Sequence, residues 1–348
     1  MSPFLIMAMG GGAALAVGVG VHFMRVYAVT GESERWYIPE ETTPNGGGLA
    51  ILFVVLMTFM PLGMSLADPG QVVRFALAAA LMASIGFFND LRDIPRRWRL
   101  IAQVAAALIF IPAAPIRDLA LPGVVLELAP LVGDTLAILW IVGLTNTFTY
   151  MDGINGLASG QAALAASLWM IIGLIIGNPM IALLGALIAG SAFSFSAYNL
   201  PPRSIFLGEA GGMFLGFSLA ALPMFAASQS NMPRLIITGG MMMSLFCFDA
   251  VLTLTRYLIR GQITPRSERS HLYQRLVALG DSPRKVLTLY LALSLGFSIA
   301  GVVYWQSAAP ALIISVVMVC LSLFAWIKRR EVAPDLDASH FTNSPEAL

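Results

Sequence analysis

The chain alternates long uncharged runs with short polar segments, and the lengths of the runs are those of helices that cross a bilayer. Met1 to Met24 and Thr42 to Ala67 carry no Lys, Arg, Asp or Glu, and each is long enough for one crossing at about twenty residues. Gln71 to Asn89 predicts a third span. Leu100 to Ile116 predicts a shorter fourth, ending at Pro112 and Pro115, and Thr135 to Met151 a fifth. From Gly153 to Pro202 there are fifty residues without a charge, too many for one crossing. The turn signal Gly177-Asn178-Pro179 divides them into spans six and seven. Ala210 to Met232 is the eighth, Leu235 to Tyr257 the ninth with Asp249 inside it, and Val286 to Ile327 splits near Gln306 to Pro310 into the last two. The expected fold is therefore an all-α polytopic membrane protein of eleven transmembrane helices. Residues 1–330 form one membrane domain and 331–348 a polar, disordered tail.

Charge fixes the expected orientation, because Lys and Arg flanking spans are retained in the cytoplasm. An N-terminus outside puts seventeen of the 20 basic residues on the cytoplasmic side and leaves only Arg74, Arg117 and Arg234 outside. The C-terminus is then cytoplasmic. Composition agrees: 58% hydrophobic and 11% charged residues exclude a water-soluble two-domain enzyme. The net charge of +1 gives no reason to expect nucleic acid. Cys247 and Cys320 both fall in apolar runs, which excludes a disulfide framework and a cysteine-based zinc site. The first run lacks the basic start of a signal peptide and reads as a retained span. Outside, Val124 to Leu128 alternates weakly and suggests a small hairpin on the membrane surface.

The chemistry gathers on the expected cytoplasmic face. Thr43-Pro44-Asn45-Gly46-Gly47-Gly48 leads into span two, and its glycines permit close backbone approach. Asn89-Asp90-Leu91-Arg92-Asp93 closes span three, with Arg96, Arg97 and Arg99 beyond it; carboxylates beside guanidinium groups suit a metal-bound phosphate, or else a solvated charged edge. Span five ends in Asn146 to Gly156, where a carboxylate, Asp152, stands in an apolar neighbourhood. Asn199 to Gly212 puts Glu209 at a helix N-terminus, either complementing the helix dipole or holding a cation beside phosphate oxygens. The long inner loop holds Arg256, Arg260, Arg266, Arg269, His271 and Arg275, and a helix is expected to begin at His271. Asp249, deep in a span, must face the bundle interior or a wet cavity. There is no Walker A motif, and the three histidines are scattered.

Five of these segments, in this order and spacing, resemble the polyprenyl-phosphate N-acetylhexosamine-1-phosphate transferases: Thr43 to Gly48, Gly86 to Gln103, Asn146 to Ala158, Asn199 to Gly216 and Arg269 to Leu276. Arg-Ser-His-x-Tyr-Gln at 269–274 resembles the O-antigen initiating branch more than the muramoyl-pentapeptide branch. The resemblance implies transfer of a sugar 1-phosphate from a UDP-sugar to undecaprenyl phosphate with release of UMP, starting a lipid-linked envelope glycan. It implies Mg²⁺, with Mn²⁺ as a substitute, and a site on the cytoplasmic face of a bacterial inner membrane. Carried over by position, Asp90, Asp152 and His271 are catalytic, and Glu209 with Asp152 holds the metal. Asn89, Arg99, Asn146, Asn155, Asn199, Arg203, Phe206 and Arg269 bind substrate. Several positions depart from the family's pattern: Asn89 stands for the first acid of a pair, Thr149 for an Asn, Asn155 for an Asp, and Glu209 for an Asp. Two negative charges are lost by these changes, which leaves open a non-catalytic homologue that binds lipid or nucleotide as a scaffold. A transporter is a third reading, and a homodimer is compatible with any of them.

Overall fold

The structure, a computed structural model, describes residues 1–27, 32–35, 38–200, 205–259 and 271–341. In chain order the elements are α1 (Pro3–Tyr27), β1 (Glu32–Arg35), β2 (Ile38–Pro44), α2 (Gly48–Gly63), α3 (Pro69–Leu91), α4 (Arg96–Phe110), β3 (Asp118–Leu121), β4 (Val124–Glu127) and α5 (Pro130–Met151). They continue with α6 (Leu157–Ile175), α7 (Pro179–Asn199), α8 (Gly208–Ser230), α9 (Arg234–Met242), α10 (Ser244–Ile259), α11 (Leu272–Ala278), α12 (Pro283–Ser307) and α13 (Pro310–Phe341). The expected helical, multi-span membrane architecture is what the chain forms.

Among the described residues, eight helices are long and apolar enough to cross a membrane, and nine if a bent pair is one span. Every one of the eleven expected segments is helical, with altered bounds. The second helix starts at Gly48 rather than Thr42, because residues up to Pro44 pair with β1 and Gly46 takes φ 90° before the helix can begin. The fourth runs from Arg96 to Phe110 and gives way to a 3₁₀ turn at Ile111–Ala113, where Pro112 removes a helical donor. The ninth is broken. Helices α9 and α10 meet at 70° about Met243, whose φ and ψ of −100° and 1° lie outside the helix. Ser244 Oγ donates to the Met241 carbonyl beside the break, at 2.7 Å. The expected hairpin exists as β3 and β4, in register from Asp118↔Glu127 to Leu121↔Val124. At the other end α13 runs on through Glu331 to Phe341, so the first part of the polar tail continues a helix, while 342–348 lie outside the described residues.

Helix α8 is the axis of the bundle. Nearly all residues of its most apolar stretch (94%) are buried, packed among α2, α3, α5, α6, α7 and α9, whereas in that of α13 only 22% are, and Ile314, Val317, Met318 and Leu321 face outward. An outward apolar face is what a helix presents to lipid. Small residues let the inner helices approach closely, since apolar side chains gain little by leaving lipid and packing must supply the attraction. A Cβ on Gly185 would lie 2.6 Å from the Met170 backbone nitrogen, and one on Gly173 only 2.4 Å from Ala182. Phe75, Phe110, Phe217 and Phe225 interlock with ring centroids 5.0 to 6.4 Å apart, joining α3, α4 and α8.

Candidate functional site

The polar segments meet where α2 and α8 begin and where α3 and α5 end. Glycine is what lets them meet. A Cβ on Gly48 would sit 2.1 Å from the Gly211 Cα, and one on Gly86 2.7 Å from Ala210. Gly47 and Gly48 donate backbone N–H to the carbonyls of Phe206 and Leu207, both at 2.9 Å, and the Phe206 N–H donates to Pro44 at 2.8 Å. A short two-stranded strap thus ties the start of α2 to the approach of α8. Gly208, at φ 77°, turns that approach into the helix, a conformation that costs a side-chain-bearing residue dearly.

Asp90 caps α8 from α3. Its Oδ1 accepts from the Glu209 N–H at 2.9 Å and from Asn45 Nδ2 at 3.0 Å, and its Oδ2 accepts from the Ala210 N–H at 3.2 Å. First-turn N–H groups have no partner within their own helix, so the carboxylate both satisfies them and meets the positive end of the helix dipole. Asn89 is engaged locally, accepting from the Ile94 N–H at 3.0 Å. From α4, Arg99 reaches Glu209 with Nη2 to Oε2 at 2.8 Å. Both side chains of that pair are largely shielded, at 16% and 29% exposure.

Helix α5 closes the far side. Thr149 lies against Gly212, with its Cγ2 3.1 Å from a Cβ built there, which brings Asp152, one turn on, to the same end of α8. Asn146 and Gln103 pair amide to amide, Nδ2 to Oε1 at 2.6 Å and Nε2 to Oδ1 at 3.2 Å, and Asn146 also donates to the Val142 carbonyl. Asn199 bridges two backbones, accepting from Gly156 N–H at 2.5 Å and donating to the Ile205 carbonyl at 3.0 Å. Phe206 is buried at 2% exposure within the strap. Asn155 differs from all of these: it is 3% exposed and, among the described residues, neither of its amide atoms has a hydrogen-bond partner. Buried polar groups are nearly always paired, so such a side chain is suited to a ligand.

His271 precedes α11, as the sequence led one to expect. Tyr273 Oη donates to the Tyr150 carbonyl at 3.0 Å, so α11 is stitched to the end of α5 two residues before Asp152. All five motif segments are therefore joined by contacts. Arg203 and Arg269 lie outside the described residues.

Comparison with known proteins adds likenesses to this geometry. Residues 72–227, which span α3 to α8 and so build most of the junction, match glycosyl transferase family 4. A relative from Bacillus subtilis (strain 168), named "Probable undecaprenyl-phosphate N-acetylglucosaminyl 1-phosphate transferase", is 26% identical over 80% of this chain and 78% of its own length. The decaprenyl-phosphate N-acetylglucosaminephosphotransferase of Mycobacterium leprae (strain TN) is 27% identical over 83% of this chain and 80% of its own. A phospho-N-acetylmuramoyl-pentapeptide-transferase of Lactiplantibacillus plantarum is 29% identical over 55% and 64%. With this match and these relatives, the protein is a phosphoglycosyltransferase.

A phosphoglycosyltransferase of this kind raises the question of a divalent cation. Among the described residues no three of His, Cys, Asp and Glu cluster as ligands. Magnesium needs no such cluster, because it is commonly held by one or two carboxylates with substrate phosphates and water completing its shell. Glu209 fits that demand. Its Oε2 is buried and, among the described residues, lacks an aligned hydrogen bond despite the nearby guanidinium. Sequence reasoning singled out Asp90, Arg99, Asn146 and Glu209 but missed Asn45 as the partner of Asp90 and Gln103 as the partner of Asn146. A lone amide in the apolar run of α4 was the available signal for Gln103.

Proposed function

We propose that the protein transfers an N-acetylhexosamine 1-phosphate from a UDP-sugar to a polyprenyl phosphate, undecaprenyl phosphate in bacteria, releasing UMP and starting a lipid-linked envelope glycan. The supporting observation is the junction at α8: Asp90, Arg99 and Glu209 come from three helices to one helix N-terminus, with Asp152 at the same end. We place this junction on the cytoplasmic face of the bacterial inner membrane, with eleven crossings and the N-terminus outside, where the nucleotide donor is made and where seventeen of 20 basic residues then lie.

The geometry favours direct transfer. Both oxygens of Asp90 are engaged by two helix N–H groups and Asn45, so this carboxylate orders α8 rather than attacking phosphorus. The lipid phosphate oxygen instead attacks the sugar-bearing phosphorus, the bond to the UMP oxygen breaks, and UMP leaves. Little covalent chemistry is asked of the protein, so positioning and charge stabilisation supply the acceleration. A divalent cation, when bound, would be held by Glu209 and Asp152 and would neutralise charge on the diphosphate. Arg99, with Arg203 and Arg269, clamps phosphate oxygens. Asn155 offers its unpaired amide to the donor, and His271 serves the acceptor side.

Detergent-purified protein given polyprenyl phosphate, Mg²⁺ and a panel of UDP-sugars beginning with UDP-GlcNAc is expected to release UMP with at least one donor. Folded protein that releases none with any donor contradicts the proposal. The amides at Asn89 and Asn155 support one rival, a homologue that binds without turnover; UDP-sugar binding with no UMP from any donor is its signature.

A further inference from the structure

Asp249 takes no part in the reaction just described, yet it is among the most heavily hydrogen-bonded side chains of the protein. It is fully buried on α10, just past the break in the ninth span. Its Oδ1 accepts from the Leu272 N–H at 2.8 Å and lies 3.1 Å from His271 Nδ1, while its Oδ2 accepts from Tyr290 Oη at 2.9 Å and from the Tyr273 N–H at 3.4 Å. Groups from the start of α11 and from α12 thus converge on one carboxylate. A carboxylate facing these donors only accepts, so the imidazole nitrogen beside it carries the ring proton, and in the neutral ring Nε2 keeps its lone pair. Two aromatic rings fix the plane of the imidazole. Tyr150 lies at 6.2 Å and Tyr273 at 5.8 Å between centroids, tilted by only 27° and 25°.

We propose that Asp249 is a positioning residue for His271. It holds the imidazole in its Nδ1–H tautomer, so that Nε2 is the nitrogen that takes a proton from the acceptor phosphate as its oxygen attacks. The O–H bond of a singly protonated phosphate breaks, an N–H bond forms at Nε2, and the buried carboxylate stabilises the imidazolium that results. This rests on the transferase reading above for the identity of the proton donor, but the tautomer does not. Anchoring α11 would by itself need only the two backbone N–H groups, with neither the Nδ1 contact nor the stacked rings.

The test separates these roles. In protein with ¹⁵N-labelled histidine and His22→Gln and His340→Gln, the remaining imidazole is expected to show protonated Nδ1 and bare Nε2 at neutral to alkaline pH. A protonated Nε2 overturns the proposal, whether or not any donor is turned over. In the UMP assay Asp249→Asn is expected to lower kcat about 100-fold, the low end of what a positioned proton acceptor contributes, with KM for the UDP-sugar within about 2-fold. Asp249→Glu is expected to recover about ten-fold of that loss. An Asp249→Asn protein with unchanged kcat overturns the proposal; should that variant fail to fold, the tautomer measurement on otherwise unaltered protein decides.

Discussion

Two Arg–acid pairs of nearly equal length sit at opposite ends of the bundle. At the α8 junction Arg99 meets Glu209 at 2.8 Å, and at the far end Arg117 meets Asp134 at 2.7 Å. The far pair is 40% and 36% exposed and joins residues on either side of one hairpin. The inner pair is shielded, joins residues 110 positions apart, and stands beside a carboxylate that already caps α8. Distance does not distinguish them; surroundings do. Water and salt screen an exposed pair until it contributes little, while a shielded pair at a helix N-terminus keeps its field for a ligand.

The comparison breaks most readily at Glu209. Replacing it by Ala is expected to lower UMP release by 100-fold or more, the scale on which transition-state charge stabilisers act, while Asp134→Ala leaves kcat within about 2-fold. Closing the junction should be nearly as damaging. Gly48→Val pushes a branched side chain into the Gly211 backbone, and the expected outcome is a thermal midpoint lowered by several degrees together with lost turnover. Arg99→Ala against Arg117→Ala is a sharper contrast: the first is expected to raise KM for the UDP-sugar about ten-fold, the second to change neither KM nor stability by more than about 1 kcal/mol.

The smallest effect concerns Asp281, between α11 and α12. It accepts from Lys285 Nζ at 2.6 Å and pairs with Arg330 of α13, and hydrogen bonds from these two cations lower its pKa below the usual 3.8. A carboxyl group with a lowered folded-state value stabilises the fold above its unfolded pKa and ceases to do so as pH falls through the folded value. Asp281→Asn should therefore flatten the acid limb of a stability profile below about pH 4 and leave stability at pH 7 reduced by a small amount. A steeper acid limb in the variant would contradict this.

Much of this was written in the sequence. Long uncharged runs declare helices because bilayer thickness sets one length scale, and the order of Asn45, Asp90, Asp152 and Glu209 within apolar flanks pointed to one face. Two things escaped. The break at Met243 leaves the apolar run from Leu235 to Tyr257 intact, so hydropathy does not register it; it depends on how α9 packs, with Pro223 of α8 against Gly239. The partners of polar groups were hidden too. That Asp90 caps α8, or that Asp249 faces His271, follows from helix rotation and loop closure over 119 and 22 residues, which no local pattern encodes.

One labelling experiment reaches the centre of the account. With UDP-GlcNAc, or whichever UDP-sugar releases UMP, labelled with ³²P at its β-phosphate, the account predicts that the label moves into the polyprenyl product while the released UMP is unlabelled. Label retained in soluble UDP, with an unlabelled sugar on the lipid, would show transfer of the sugar alone and contradict it.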